Sequence, residues 1–226
     1  MDVTLSAWSK LWLGLYGAVA VVDLAAELVG ARTLFAAALV ALMPLLAAFA
    51  LSVRRRLDPQ RRSRLLNLTV AALFLSWLGD LAGYNLLPKV ACFLLAQLCY
   101  VAAFWPRRSR SIWRRPLAAG AYATVVIVLV VVVARDAGPL AVPVVVYGVS
   151  LGLMATLATG VNGVAAVGGA LFVVSDAILA LDTFVGGFTL PHASFWNILT
   201  YVVAQLLLVW GALRLARSEG TSQSER

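Results

Sequence analysis

The sequence predicts an all-α polytopic membrane protein of eight transmembrane helices. Three observations carry this reading. The chain of 226 residues is 62% hydrophobic and 12% charged, and its mean hydropathy of +0.93 lies outside the range of soluble domains. Its apolar residues fall into runs long enough to span a bilayer, about 20 residues each. Its basic residues gather in short tracts between alternate runs.

The spans fall at 8–29, 33–53, 65–87, 89–105, 116–134, 139–157, 161–181 and 195–216. The first has no small-residue cleavage site before polar sequence, and more spans follow, so it reads as a retained helix. The second ends at the Arg54-Arg55-Arg56 tract. The third and the short fourth are separated with the help of Pro88, and the fourth gives way to an arginine-rich loop over 106–115. Pro116, Pro139 and Pro191 stand at or near the starts of later spans, where a missing backbone N–H does least harm. Together the spans form one transmembrane domain over 1–217, followed by a short polar tail over 218–226.

An even number of spans puts both termini and the 54–64 and 106–115 loops on one side. That side holds all but Arg32, Lys89 and Arg135 of the 18 basic residues, and the positive-inside rule makes it the cytoplasm. The net charge of +8 is explained by this topology and by anionic lipid headgroups. No basic face with interleaved aromatics exists, which argues against nucleic acid as a partner. Trp8, Trp12, Trp105, Trp113 and Trp196 fall near span ends and fit interfacial belts.

Against this apolar background two aspartates stand out: Asp80, after Leu78-Gly79, and Asp176, after Ser175. A carboxylate at mid-membrane costs roughly 3 kcal/mol even on lenient insertion scales, so an intramembrane acid is a functional candidate by default. Asp23 and Glu27 lie in the last turns of the first span. Asp80 lies about seven residues before the outer end of the third and Asp176 about five before that of the seventh, with Asp182 at its exit. The fourth span adds Gln97 and Tyr100, the sixth Tyr147, and the eighth Asn197, Tyr201 and Gln205. Nearly all of these fall in the outer half of the membrane or near its midplane, which predicts a polar pocket opening to the outer leaflet.

Each of these residues also has a plainer reading. The two acids can be capped by hydroxyl or backbone groups, or share a proton as a structural pair. Gln97 and Gln205 can be interhelical glue, and Tyr100, Tyr147 and Tyr201 can be packing. Asp23, Glu27 and Asp182 fit solvated interfacial positions, and Glu27 can pair with Arg32. His192 reads as an exposed loop residue, and Trp77, deeper than the other tryptophans, as a wall of an acyl tunnel. One histidine, and two cysteines on a single helix, give no first shell typical of zinc, so no metal and no cofactor is expected. Cys92 and Cys99 are about 10 Å apart along that helix, too far for a disulfide. No Gly-x-Ser-x-Gly elbow occurs, which argues against a serine lipase.

The same residues resemble the YhhN-like family of membrane proteins, whose characterised members are lysoplasmalogenases. The resemblance runs through Leu78-Gly79-Asp80 with Phe93, Leu98, Tyr100 and Phe104, then Pro143, Tyr147 and Met154. It continues through Gly169-Ala170-Leu171-Phe172 with Ser175-Asp176, Leu179-Ala180 and Phe184, and ends at Tyr201 and Gln205. It implies an eight-helix protein that cleaves the vinyl-ether bond of a lysoplasmalogen, giving a fatty aldehyde and glycerophospho-ethanolamine or glycerophosphocholine. Two positions depart from the family's common pattern: Gln97 stands where a histidine is common, and Met43-Pro44 where a Lys-Pro is.

Vinyl-ether hydrolysis begins with protonation at carbon and passes through an oxocarbenium ion that water captures. Desolvation favours the neutral carboxylic acid, so one aspartate can donate the proton while a second, ionised carboxylate stabilises the cation and orients water. Glycosidases divide the same work between two carboxyl groups. Asp80 and Asp176 are the predicted pair, with Tyr100, Tyr147, Tyr201, Gln97, Gln205, Asp23 and Glu27 around them or in contact with substrate. Two alternatives stand beside the hydrolase: an inactive or re-purposed family member, and a proton-coupled transporter or lipid-binding protein whose acids bind a proton or cationic solute.

Overall fold

A computed structural model of the chain describes residues 5–55, 57, 64–83 and 85–221. Its elements are α1 (Ala7–Leu28), α2 (Arg32–Arg54), α3 (Arg64–Leu81), α4 (Leu86–Phe104), α5 (Pro116–Asp136), α6 (Ala141–Ala158), α7 (Gly163–Phe184) and α8 (Ala193–Thr221). Between α4 and α5 the chain runs through 3-10 turns at Trp105–Arg110 and Ile112–Arg114. All eight helices are long and apolar enough to cross a membrane, and no strand occurs among the described residues. The Arg56, Arg61, Arg62 and Arg226 positions used in the charge count lie outside the described residues.

Local chemistry explains most of the boundaries. Ser6 caps α1 by accepting from the Ser9 N–H, and Asn162 caps α7 by accepting from the Ala165 N–H at 3.0 Å, each satisfying a donor that has no partner within its helix. Pro116 opens α5 at its first position. At the α3–α4 corner the expectation is corrected. Helix α3 stops at Leu81, six residues before the predicted 87, because Gly83 takes a positive φ of 56° and its N–H bonds the Asp80 carbonyl. Helix α4 then starts at Leu86, so Pro88 sits inside its first turn and does not separate the two helices. Asp80 is therefore the penultimate residue of α3, nearer its end than the seven residues predicted. Asp176 lies eight residues before the end of α7. Helix α8 continues to Thr221, past the expected boundary at 217.

The bundle is organised around α8, which packs on α7 and also touches α1, α2 and α3. Without a hydrophobic drive between helices inside lipid, close contact depends on small residues. At the α7–α8 seam, a Cβ on Gly168 would stand 2.9 Å from the Leu208 backbone nitrogen and 3.0 Å from the Ala204 carbonyl oxygen. Asn162 ties the same seam by donating to the Gly211 carbonyl at 2.9 Å. The apolar core joins Tyr16 of α1, Leu42, Met43 and Phe49 of α2, Leu73 of α3, Tyr100 and Phe104 of α4, Met154 of α6, Phe172 of α7 and Leu208 of α8. Met43, at one of the positions that depart from the family pattern, is fully buried in that core.

Helix α5 is the outlier. It packs mainly on α6, and Val133 is its one buried residue. Val126 and Val130 of α5 seat over Gly152 and Gly148 of α6, where an added Cβ would collide with them.

Candidate functional site

The polar residues of the spans resolve into two groups, and each aspartate belongs to a different one. In the first, the Tyr201 hydroxyl of α8 donates to Asp80 Oδ2 of α3 at 3.1 Å. The Tyr201 ring is held edge-on by Phe93 and by Phe172, each at 5.8 Å between centroids. Phe93 packs against the bare backbone of Gly79, where a Cβ would stand 2.7 Å from the ring, so the glycine before Asp80 is a steric necessity. One turn further along α8, Gln205 accepts from the Tyr100 hydroxyl at 2.8 Å and donates to Ser76 at 3.0 Å. Asp80 is buried, and the charged groups whose field reaches it are Lys89 and Asp23.

The second group centres on Asp176 of α7. The Tyr147 hydroxyl of α6 donates to its Oδ2 at 2.6 Å, and the Gln97 amide of α4 donates to the same oxygen at 3.4 Å. Oδ1 accepts no hydrogen bond among the described residues. Asn197 of α8 fastens the neighbouring turn of α7, donating to the Ser175 carbonyl at 2.8 Å, while the Ser175 hydroxyl donates to the Asn197 carbonyl at 3.0 Å. Gln97 is fully buried with its own Oε1 unpartnered. The position where the family commonly has a histidine is thus in contact with the Asp176 carboxyl.

A groove open on one side, with about 690 Å³ of empty space counting the solvent at its mouth, runs between α4, α5, α6 and α7. Three of these helices contribute a stripe at i, i+3, i+4 and i+7, the spacing of one helical face: Leu86, Lys89, Val90 and Phe93 of α4; Val144, Tyr147, Gly148 and Leu151 of α6; Asp176, Leu179, Ala180 and Thr183 of α7. Leu129, Val130 and Val133 of α5 complete the wall. The groove lies where α4 and α6 begin and α5 and α7 end, at the end of the bundle away from the termini. Its lining is apolar except for Lys89, Tyr147, Asp176 and Thr183, which suits a lipid chain bearing a polar head.

The other predicted residues are placed as follows. Asp23 is fully buried on α1 with neither carboxyl oxygen partnered, and its nearest ionic influences are Glu27 and Asp80. Its burial corrects the solvated reading. Glu27 is half-buried, and the pairing with Arg32 does not form. Asp182 and His192 are exposed, the latter with φ at 55°. Trp77 does not line this groove. Cys92 and Cys99 are free thiols. Among the described residues no cluster of three or more His, Cys, Asp or Glu is arranged to hold a metal. Sequence reasoning missed Lys89 and Phe93 as groove residues. Lys89 entered it only as a topological charge, at the first residue of the expected fourth span.

The YhhN family model matches residues 31–212. Human lysoplasmalogenase TMEM86B is 36% identical over 130 residues, covering 56% of this chain and 54% of that protein. The mouse lysoplasmalogenase TMEM86B is 44% identical over 72 residues, 32% of this chain and 31% of its own. The match spans about half the length of the human relative and less of the mouse one. No solved structure matches.

Proposed function

This multi-pass membrane protein belongs to the YhhN family, and from that premise we propose that it is a lysoplasmalogenase, hydrolysing the vinyl ether of a single-chain glycerophospholipid. The observation that carries the reading is Asp176: a carboxyl group in the wall of an apolar groove, with both of its hydrogen bonds accepted on Oδ2 and Oδ1 left to face a substrate. The groove takes the lipid with its vinyl ether at Asp176. Oδ1 of the Asp176 carboxylic acid delivers its proton to the alkenyl carbon remote from the ether oxygen, leaving an oxocarbenium ion beside the resulting carboxylate. Water adds at the carbon bearing the ether oxygen, giving up a proton to that carboxylate. The hemiacetal then collapses: its hydroxyl proton leaves, the glycerol oxygen departs with a proton, and a fatty aldehyde and glycerophospho-ethanolamine or glycerophosphocholine are released. Atoms balance as substrate plus one water.

Asp80 is the second carboxyl group of this reading. It lies behind Phe93, whose ring also lines the groove, and its field and that of Lys89 act on each other. It does not line the groove, and it reaches the groove wall only through the Phe93 and Tyr201 rings. The excess of basic residues on the terminal side supports an orientation with both termini in the cytoplasm and the groove toward the outer leaflet.

Purified protein in detergent, given lysoplasmenyl-ethanolamine or lysoplasmenyl-choline, is expected to release fatty aldehyde. Asp176→Asn should lower the rate by about 10²-fold or more, the scale of a lost general acid, with the elution profile and melting temperature kept. A wild-type protein that releases no aldehyde from any alkenyl lysolipid overturns the proposal.

A further inference from the structure

Lys89 is the cation of the groove wall. It lines the groove from the first turn of α4 and is half-buried, and no hydrogen bond or ion pair engages its ammonium among the described residues. A desolvated charge without a hydrogen-bonded partner is costly, and beyond the more distant field of Asp80 the largely apolar lining offers it little compensation. Thr183 lines the same groove from the last turn of α7. Both residues sit at helix ends, at the mouth of the groove.

Their depth relative to the acid is fixed by helix geometry. Asp176 and Thr183 lie seven residues apart on one face of α7, about 10 Å along the axis at 1.5 Å per residue. On α4, Lys89 and the Gln97 that contacts Asp176 are eight residues apart, about 12 Å. In a lysoplasmalogen the phosphate and the vinyl ether are separated by a glycerol backbone, and the flexible lysine side chain takes up the remainder. We propose that Lys89, aided by Thr183, is the phosphate-binding subsite of this groove, so that the ligand is held by its phosphodiester and not by the nitrogen base beyond it. This rests on the single-chain lipid reading given above.

Binding of non-hydrolysable lipids tests the subsite separately from turnover. Calorimetric titration in detergent would compare a saturated 1-O-alkyl lysophosphoethanolamine with 1-O-alkylglycerol, which keeps the chain and lacks the phosphate. Wild-type protein should prefer the phosphate-bearing lipid by about tenfold or more, the worth of one charge-assisted hydrogen bond. Lys89→Met should bring the two lipids to near parity, Lys89→Arg should keep the preference, and Thr183→Val should reduce it by a smaller factor. A wild type with no preference, or a Lys89→Met variant that keeps it or weakens both lipids equally, overturns the subsite. Failure of aldehyde release with this preference intact would overturn only the hydrolase.

Discussion

Asp176 owes its orientation to a single phenol. The Tyr147 bond at 2.6 Å is short where the Gln97 bond at 3.4 Å is long, so Tyr147 is the group that anchors the Asp176 carboxyl through Oδ2 and leaves Oδ1 without a hydrogen bond among the described residues. Tyr147→Phe is expected to cost about 1 kcal/mol of stability, one buried hydrogen bond, and to lower aldehyde release by roughly tenfold as the carboxyl loses its fixed rotamer; thermal melting and the aldehyde assay read the two effects separately. A fall in stability with no change in turnover would make the phenol a packing group. At this scale the acids, the tyrosines and the glutamines were legible, because a polar side chain in an apolar span stands out against the cost of burying it. Their partners were not. Sequence periodicity gives the face of a helix but not which helix that face meets, so the assignment of Tyr201 to Asp80 and Tyr147 to Asp176 needed three dimensions. Lys89 was hidden for another reason: near a span end a lysine can snorkel to the interface, and its sequence context is the same whether it does or lines a groove.

Between helices, the seams are made by glycine. Gly168 meets the backbone of α8, which cannot move aside as a side chain can, whereas Gly17 on α1 has nothing within 4 Å of its virtual Cβ. Gly168→Ala is therefore expected to destabilise by about 1 to 3 kcal/mol, the range for overpacking. Gly17→Ala should be neutral or stabilising by up to about 1 kcal/mol through helix propensity. Equal melting temperatures for the two variants would mean that the α7–α8 seam is looser than the structure has it. Eight helices were legible from hydropathy, and six of the seven junctions between them shifted by only a few residues. The α3–α4 corner was misjudged because apolar Leu86 and Leu87 extend the hydropathy of α3 past its end, while the terminating feature, a left-handed Gly83, leaves no mark on an apolarity profile. That corner carries Asp80, so the error in the element became an error in the depth of the acid.

For the molecule as a whole, the proposed orientation makes a simple prediction. In a Cys92→Ala/Cys99→Ala background, a cysteine at His192 should react with a membrane-impermeant maleimide added to intact cells, and a cysteine at Arg115 only after permeabilisation. The opposite pattern would invert the topology and turn the groove toward the cytoplasm. The groove itself has one wall unlike the others. Helices α4, α6 and α7 are braced by several neighbours, but α5 leans on α6 through two valines over two glycines and buries only Val133. Beyond that seam it has only small contacts with α7 and with the 3-10 turns at its two ends, and it exposes Val125, Ile127, Val128, Val131 and Val132. The face of α5 opposite Leu129, Val130 and Val133 is therefore one that a bilayer would cover, and the groove's outer wall is its least braced one.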